Sequence, residues 1–248
     1  ASNRLLGMGE EAWRVHTVGF PAIDMISEEN YATPDEVVAK LKIDLNKPVV
    51  LFTQHSVTTE FDRAAEQIAP SLDALEVLAK SGVQIIATYP NNDAGGLSII
   101  DKLEILDARS IDNIQVHRSL GRYLYHGLLA LAQDTENKVV CVGNSSSGIK
   151  ETPVFGCPTV NIGSRQKGRL RGQNVLDADY KKESIVDAVT DCIENNDFRK
   201  KCTKTHNPYY MGDAGKKIAE VLAEVPLDRK LIRKQMMLKG EAKTGWYR

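Results

Sequence analysis

Residues 143–166 hold the densest chemistry in the chain. Three serines, Ser145, Ser146 and Ser147, follow Gly143-Asn144 directly after the apolar β-branched run Val139 to Val142, and they precede Gly148 and Glu151. A strand that turns sharply into a helix through small hydroxyl residues offers main-chain N–H groups and hydroxyls at a positive helix end, which suits a diphosphate. A second apolar run, Thr159 to Ile162, delivers Arg165, whose guanidinium can hold phosphate bidentately. Together these residue types point to a bound nucleoside diphosphate. Lone serines usually cap helices, yet three in succession exceed what capping needs. Glu151 reads either as a carboxylate favoured in the first turn of the helix or as an acceptor for both hydroxyls of a ribose. Arg165 alone reads as readily as a surface ion pair. Gln166, Lys167, Arg169 and Arg171 follow it in a Gly-containing loop as further phosphate candidates.

Three more positions could reach the same ligand. His55 follows the apolar run Pro48 to Thr53, and a histidine there can bind phosphate or move a proton near neutral pH. Isolated histidines are more often structural. Asn91, in Tyr89-Pro-Asn-Asn-Asp, reads first as a turn former. Arg118, with His117, Ser119 and Leu120, follows the short run Ile114 to His117, where main-chain groups can flank a base.

The elements that must position these residues alternate regularly. Strands are expected at 48–53, 83–89, 114–117, 139–142, 159–162 and 174–176. Helices are expected from Thr33-Pro34, where threonine caps and proline takes the first helical position, and over 60–81, 98–106, 122–133, 182–194 and 213–223. In the second of these the apolar positions 64, 68, 72, 75 and 78 keep helical spacing. Strands alternating with helices imply βαβ units, hence an α/β, Rossmann-like parallel sheet with helices on both faces. Such sheets bind ligands beyond the carboxyl ends of their strands. The segments 53–58, 89–96 and 143–151 each follow a strand, so they are expected to meet in one crevice.

Four segments in order, Thr53-Gln-His-Ser-Val-Thr58, Tyr89-Pro-Asn-Asn-Asp-Ala-Gly-Gly96, Gly143-Asn-Ser-Ser-Ser-Gly-Ile-Lys-Glu151 with Asn161-Ile-Gly-Ser-Arg-Gln166, and Asn207-Pro-Tyr-Tyr-Met-Gly-Asp213, resemble the UDP-N-acetylglucosamine 2-epimerases. The resemblance is to the hydrolysing branch, because Ser56-Val-Thr-Thr59 follows His55 where the other branch carries Arg-Arg-Glu-Asn. It implies the C-terminal half of a GT-B type two-domain fold, with 21–225 as the UDP-binding domain. Residues 1–20, which read as a helix already in progress, would then connect to a preceding domain, and 226–248 would form a basic C-terminal helix or tail. It also implies that Ser145, Ser146 and Arg165 hold the diphosphate, that Glu151 holds the ribose, and that Asn91 contacts the ligand; Arg118 stays a candidate from its place after a strand alone. His55 becomes the catalytic candidate. The reaction implied is elimination of UDP from C1 with loss of the C2 proton, then re-addition; water as the adding group releases UDP and N-acetylmannosamine or a related 2-acetamido sugar. No metal and no cofactor is implied. The family's acid–base residues belong to its other domain, so this chain is expected to bind UDP without turning substrate over. A glycosyltransferase of the same architecture and a non-catalytic nucleotide-binding module remain open.

Bulk properties narrow the classes. The 248 residues carry a net charge of −1, which gives no global pull toward nucleic acid or an anionic membrane. Apolar residues at 42% can fill a core, and no run approaches the ~20 residues needed to span a bilayer. Cys141, Cys157, Cys192 and Cys202 lack metal-like spacing and fit buried thiols in a reducing, cytoplasmic setting. From Pro226 onward, seven Lys or Arg residues stand against Asp228 and Glu241. The resemblance makes this stretch a packing helix ahead of a solvated tail, with nucleic-acid contact last. The expected partners are the UDP-sugar and further copies of the protein, as a homodimer or higher homo-oligomer.

Overall fold

The computed structural model describes residues 1–237. In chain order the elements are α1 (Ser2–Gly7), α2 (Pro21–Ser27), α3 (Pro34–Leu41), β1 (Val49–Thr53), α4 (Ala64–Lys80), β2 (Gln84–Thr88), α5 (Gly96–Ala108), β3 (Ile114–His117), α6 (Gly121–Ala130), β4 (Val139–Gly143), α7 (Ser147–Lys150), β5 (Thr159–Ile162), β6 (Val175–Ala178), α8 (Lys182–Glu194), α9 (Asn196–Cys202), α10 (Ala214–Glu224) and α11 (Arg229–Ile232). The six strands form one sheet in the order β3-β2-β1-β4-β5-β6, and all five pairings are parallel. The chain runs outward in one direction from β1 and in the other from β4. Loops leaving the carboxyl ends of these two neighbours therefore diverge and open a crevice.

Alternation along the central strands explains the layers. Val50, Phe52, Val140 and Val142 pack with Ile68 and Leu75 of α4, Leu103 of α5 and Val189 of α8. Val49, Leu51, Val139 and Cys141, one step out of phase, pack with Val37 and Leu41 of α3 and with Leu128 and Leu129 of α6. Each such side chain contributes ~1.5–3 kcal/mol by leaving water. Strands buried on both faces are what near-continuous apolar runs require. The expected α/β class, parallel sheet and helices on both faces are all present.

Local detail departs from expectation, and three of the departures have a plain physical reason. The helix expected over 60–81 starts at Ala64; Thr58–Arg63 is a 3₁₀ turn broken at Glu60, whose φ of −136° is not helical. The helix after the serine turn stops at Lys150, because Pro153 has no N–H to continue it and a 3₁₀ turn, Thr152–Phe155, takes over. The third is α9, which was not expected: its polar run Asn196-Asp-Phe-Arg-Lys-Lys hides a cap in which the Asn195 side chain accepts from the Phe198 N–H at 2.9 Å.

The described chain divides into two compact units, Met25–Tyr209 and Ala1–Asp24 together with 210–237. Within the second unit, Arg14 ties the basic segment down by donating to the carbonyls of Leu231 at 2.8 Å and Lys230 at 2.6 Å. Glu11 pairs with Arg14, and that hydrogen bond holds its carboxyl down at about 2. Lys234 pairs with Glu10 at 2.5 Å, and the Met237 N–H bonds to the Gly9 carbonyl at 2.7 Å. The expected basic helix is thus a single turn plus an extended strap as far as residue 237, and 238–248 lie outside the described residues. Among the described residues no helix is long and apolar enough to cross a membrane.

Candidate functional site

The crevice is built on Gly143 and Asn144. Gly143 has φ +128°, and a side chain there would collide with the Thr53 carbonyl, so only glycine lets β4 end this close to β1. Asn144 is 1% exposed. Its Oδ1 accepts the His55 N–H at 2.7 Å, and its Nδ2 donates to the His55 carbonyl at 2.8 Å. One side chain therefore satisfies both main-chain groups of His55 and fixes the loop after β1 against the loop after β4. The Asn144 carbonyl in turn accepts from Gln166 Nε2 at 2.7 Å and Arg165 Nη1 at 3.2 Å, which gathers in the loop after β5.

The loop after β2 joins the same cluster. The Asn91 N–H donates to His55 Nδ1 at 3.0 Å. A ring nitrogen that accepts an N–H carries no proton, so neutral His55 presents its own proton on Nε2. Burial, reinforced by the Arg165 charge, holds the imidazole down at about 4. At neutral pH it is an uncharged donor. Asp93 accepts from Asn91 Nδ2 at 2.8 Å and pairs with Arg165 Nη2 at 3.3 Å; the Asn91 bond first, and the guanidinium second, lower its pKa. Asp93 thereby orients Arg165. Ser56 Oγ donates to the Ala94 carbonyl at 2.5 Å and closes the stitching between the two loops.

The serine turn is held from behind. Ser147 Oγ donates to Ser145 Oγ at 3.1 Å, and the Tyr125 hydroxyl of α6 lies 2.6 Å from Ser147 Oγ. If Ser147 donates forward, Tyr125 must donate to Ser147, and the proton of Ser145 is left for an outside acceptor. The Ser146 hydroxyl has no partner among the described residues. With α7 only four residues long, the donors here are hydroxyls and main-chain N–H groups, and the aligned helix dipole expected from sequence is small.

Glu151 lies past the end of α7 and not in the first turn of a helix, as expected. Its Oε2 meets Nε2 of the buried His126 from α6 at 3.0 Å. Arg118 is exposed at the end of β3, two strands from β1, and among the described residues it forms no hydrogen bond to this cluster. Lys167, Arg169 and Arg171 line a cleft of about 440 Å³ together with Gln166, where Arg171 is already paired with Asp177 at 2.5 Å. The structure thus joins His55, Asn91 and Arg165 in one bonded network with Asn144, sets Ser145 and Ser146 next in sequence to Asn144, and leaves Arg118 apart. Sequence reasoning assigned no role to Asn144, Tyr125 or His126. Asn144 stood inside the quoted Gly-Asn-Ser turn, whereas the other two were hidden in a helical apolar pattern. Among the described residues no three His, Cys, Asp or Glu side chains gather to hold a metal ion, and the four cysteines are buried and free.

Strand order, layers and the loops converging beyond β1 and β4 define a Rossmann-like α/β body of the GT-B type. A crystal structure of UDP-GlcNAc 2-epimerase from Neisseria meningitidis bound to UDP-GlcNAc shares this fold with a TM-score of 0.68 at 20% identity, over 90% of this chain and 59% of that one. The family model described as UDP-N-acetylglucosamine 2-epimerase matches residues 1–223, and the chain belongs to that family. A GDP/UDP-N,N'-diacetylbacillosamine 2-epimerase (hydrolyzing) from Campylobacter jejuni is 32% identical over 79% of this chain and 48% of its own length. A UDP-N-acetylglucosamine 2-epimerase from Neisseria meningitidis is 34% identical over 76% and 47%. The chain spans about half the length of the curated relatives it matches.

Proposed function

We propose that this chain is the UDP-binding half of a hydrolysing UDP-2-acetamido-sugar 2-epimerase, acting on UDP-N-acetylglucosamine or a relative with a further acetamido group. The observation that carries the reading is the network in which Asn144 fixes His55, Arg165 and Gln166 directly before Ser145 and Ser146, within a member of this family. In it, Ser145, Ser146 and Arg165 hold the diphosphate, Glu151 accepts the ribose hydroxyls, and Asn91 completes the nucleotide contacts. His55 donates its Nε2 proton toward the diphosphate as UDP leaves C1 and a base removes the C2 proton to give the 2-acetamidoglycal. Stabilising the departing diphosphate matters because the C2 proton is only weakly acidic. Water then adds, releasing UDP and the free 2-epimeric sugar. The family supports the epimerase reading, and the relatives named as hydrolyzing support this branch.

The whole protein, incubated with UDP-N-acetylglucosamine and no acceptor, is expected to release UDP and N-acetylmannosamine. Release of neither would refute the proposal. His55→Ala should lower kcat by ~10²–10⁴-fold with a smaller loss of UDP affinity, because its bond strengthens as charge develops. A near-normal kcat with a raised KM would make His55 a binding residue only.

A further inference from the structure

We infer that His126 is a positioning residue that aims the Glu151 carboxylate at the ligand's ribose, so that α6 sets the preference for a ribonucleotide over a 2'-deoxyribonucleotide. This rests on the reading above that Glu151 faces the ribose. Helix α6 is pinned on both sides: Leu128 and Leu129 are fully buried, and Gly127 lies so near Ala32 that an added Cβ would come within 2.6 Å of its carbonyl oxygen. From this fixed helix two consecutive side chains reach the nucleotide turn. Tyr125 meets Ser147, and His126 meets Glu151.

His126 is 3% exposed, with its ring against Phe155 at 5.8 Å between centroids. Its Nδ1 is buried and unpartnered among the described residues, so the one polar contact recorded for this ring is Glu151. A carboxylate only accepts hydrogen bonds, hence Nε2 must be the donor. That single bond fixes Oε2. Oε1 has no partner among the described residues, and the side chain keeps 17% of its surface exposed. One oxygen is anchored and the other is free for hydroxyl donors. A histidine serving only to fill the core would be better replaced by leucine, since burying an imidazole with one nitrogen unsatisfied is unfavourable.

Calorimetric titration of the chain with UDP and with 2'-deoxy-UDP tests this. Wild type should prefer UDP. His126→Leu should lose about tenfold or more in UDP affinity, the scale of a hydrogen bond to a charged group, and little in 2'-deoxy-UDP affinity, so the preference collapses. His126→Gln, which restores a donor, should recover most of the preference; it also serves if the leucine variant does not fold. Equal loss for both ligands in His126→Leu, or an unchanged preference in both variants, would overturn the inference. Glu151→Gln separates the two levels. If it loses the preference while His126→Leu keeps it, the positioning role fails alone. If wild type shows no preference, or Glu151→Gln keeps it, the ribose reading of Glu151 fails and takes the inference with it.

Discussion

Replacing Asn144 with aspartate would test the central clamp with almost no change of shape. Oδ1 could still accept the His55 N–H, but an oxygen would replace Nδ2 at 2.8 Å from the His55 carbonyl. The variant loses one buried hydrogen bond, leaves that carbonyl unsatisfied and sets two acceptors against each other. Unsatisfied buried groups cost ~1–3 kcal/mol each, so a total of ~2–4 kcal/mol is expected at neutral pH. For a protein of this size 1 kcal/mol moves Tm by ~2–4 °C, which puts the fall at ~4–16 °C. The pH dependence supplies a sharper signature. A buried carboxyl facing a carbonyl has its folded pKa raised above the unfolded value of ~3.9. Its protonated form restores the donor, so the added stability is present at low pH and is lost as pH rises through the folded pKa. Melting curves of variant and wild type at pH 7.5 and 5 should therefore show a smaller gap at pH 5. A gap that stays within about 1 °C at both values would refute the clamp.

Gly127→Ala should lower stability by ~1–3 kcal/mol, the cost of overpacking against the Ala32 carbonyl 2.6 Å away, and should weaken UDP binding by displacing Tyr125 and His126; denaturant melts check the first part and titration the second. UDP binding should leave His55 neutral at pH 6, because its Nδ1 is taken by the Asn91 N–H and burial holds the imidazole down at about 4. Calorimetry at pH 6 in two buffers of different ionisation enthalpy should give the same proton uptake for wild type and His55→Gln; a larger uptake by wild type would show that the Asn91 bond breaks on binding.

Much of this arrangement was legible in the residues. Strand β4 stood out as a β-branched run, α4 as a period of apolar positions, and the crevice followed from three polar segments placed after strands. What stayed hidden was long-range pairing. Asn144 looks like any turn asparagine until β1 lies beside β4 and puts His55 in reach. His126 sits between Tyr125 and Leu128 in a helix whose pattern says only that one face is buried. Its partner lies 25 residues away across the serine turn. The short α7 could have been foreseen, because Pro153 forbids a longer helix through Glu151. Arg118 was placed by its position just after a strand, and the outward position of β3 accounts for its separation from the network.

Whether UDP binds at the carboxyl ends of β1 and β4 is decided most directly by one titration. Wild-type chain and Arg165→Ala are titrated with UDP by calorimetry at fixed salt. A single saturable site is expected, weakened by ~1.5–3 kcal/mol in the variant, or roughly 10–150-fold, because an oriented charged contact is removed. Equal affinities in the two proteins, or no binding to wild type, would contradict the placement of UDP in this crevice.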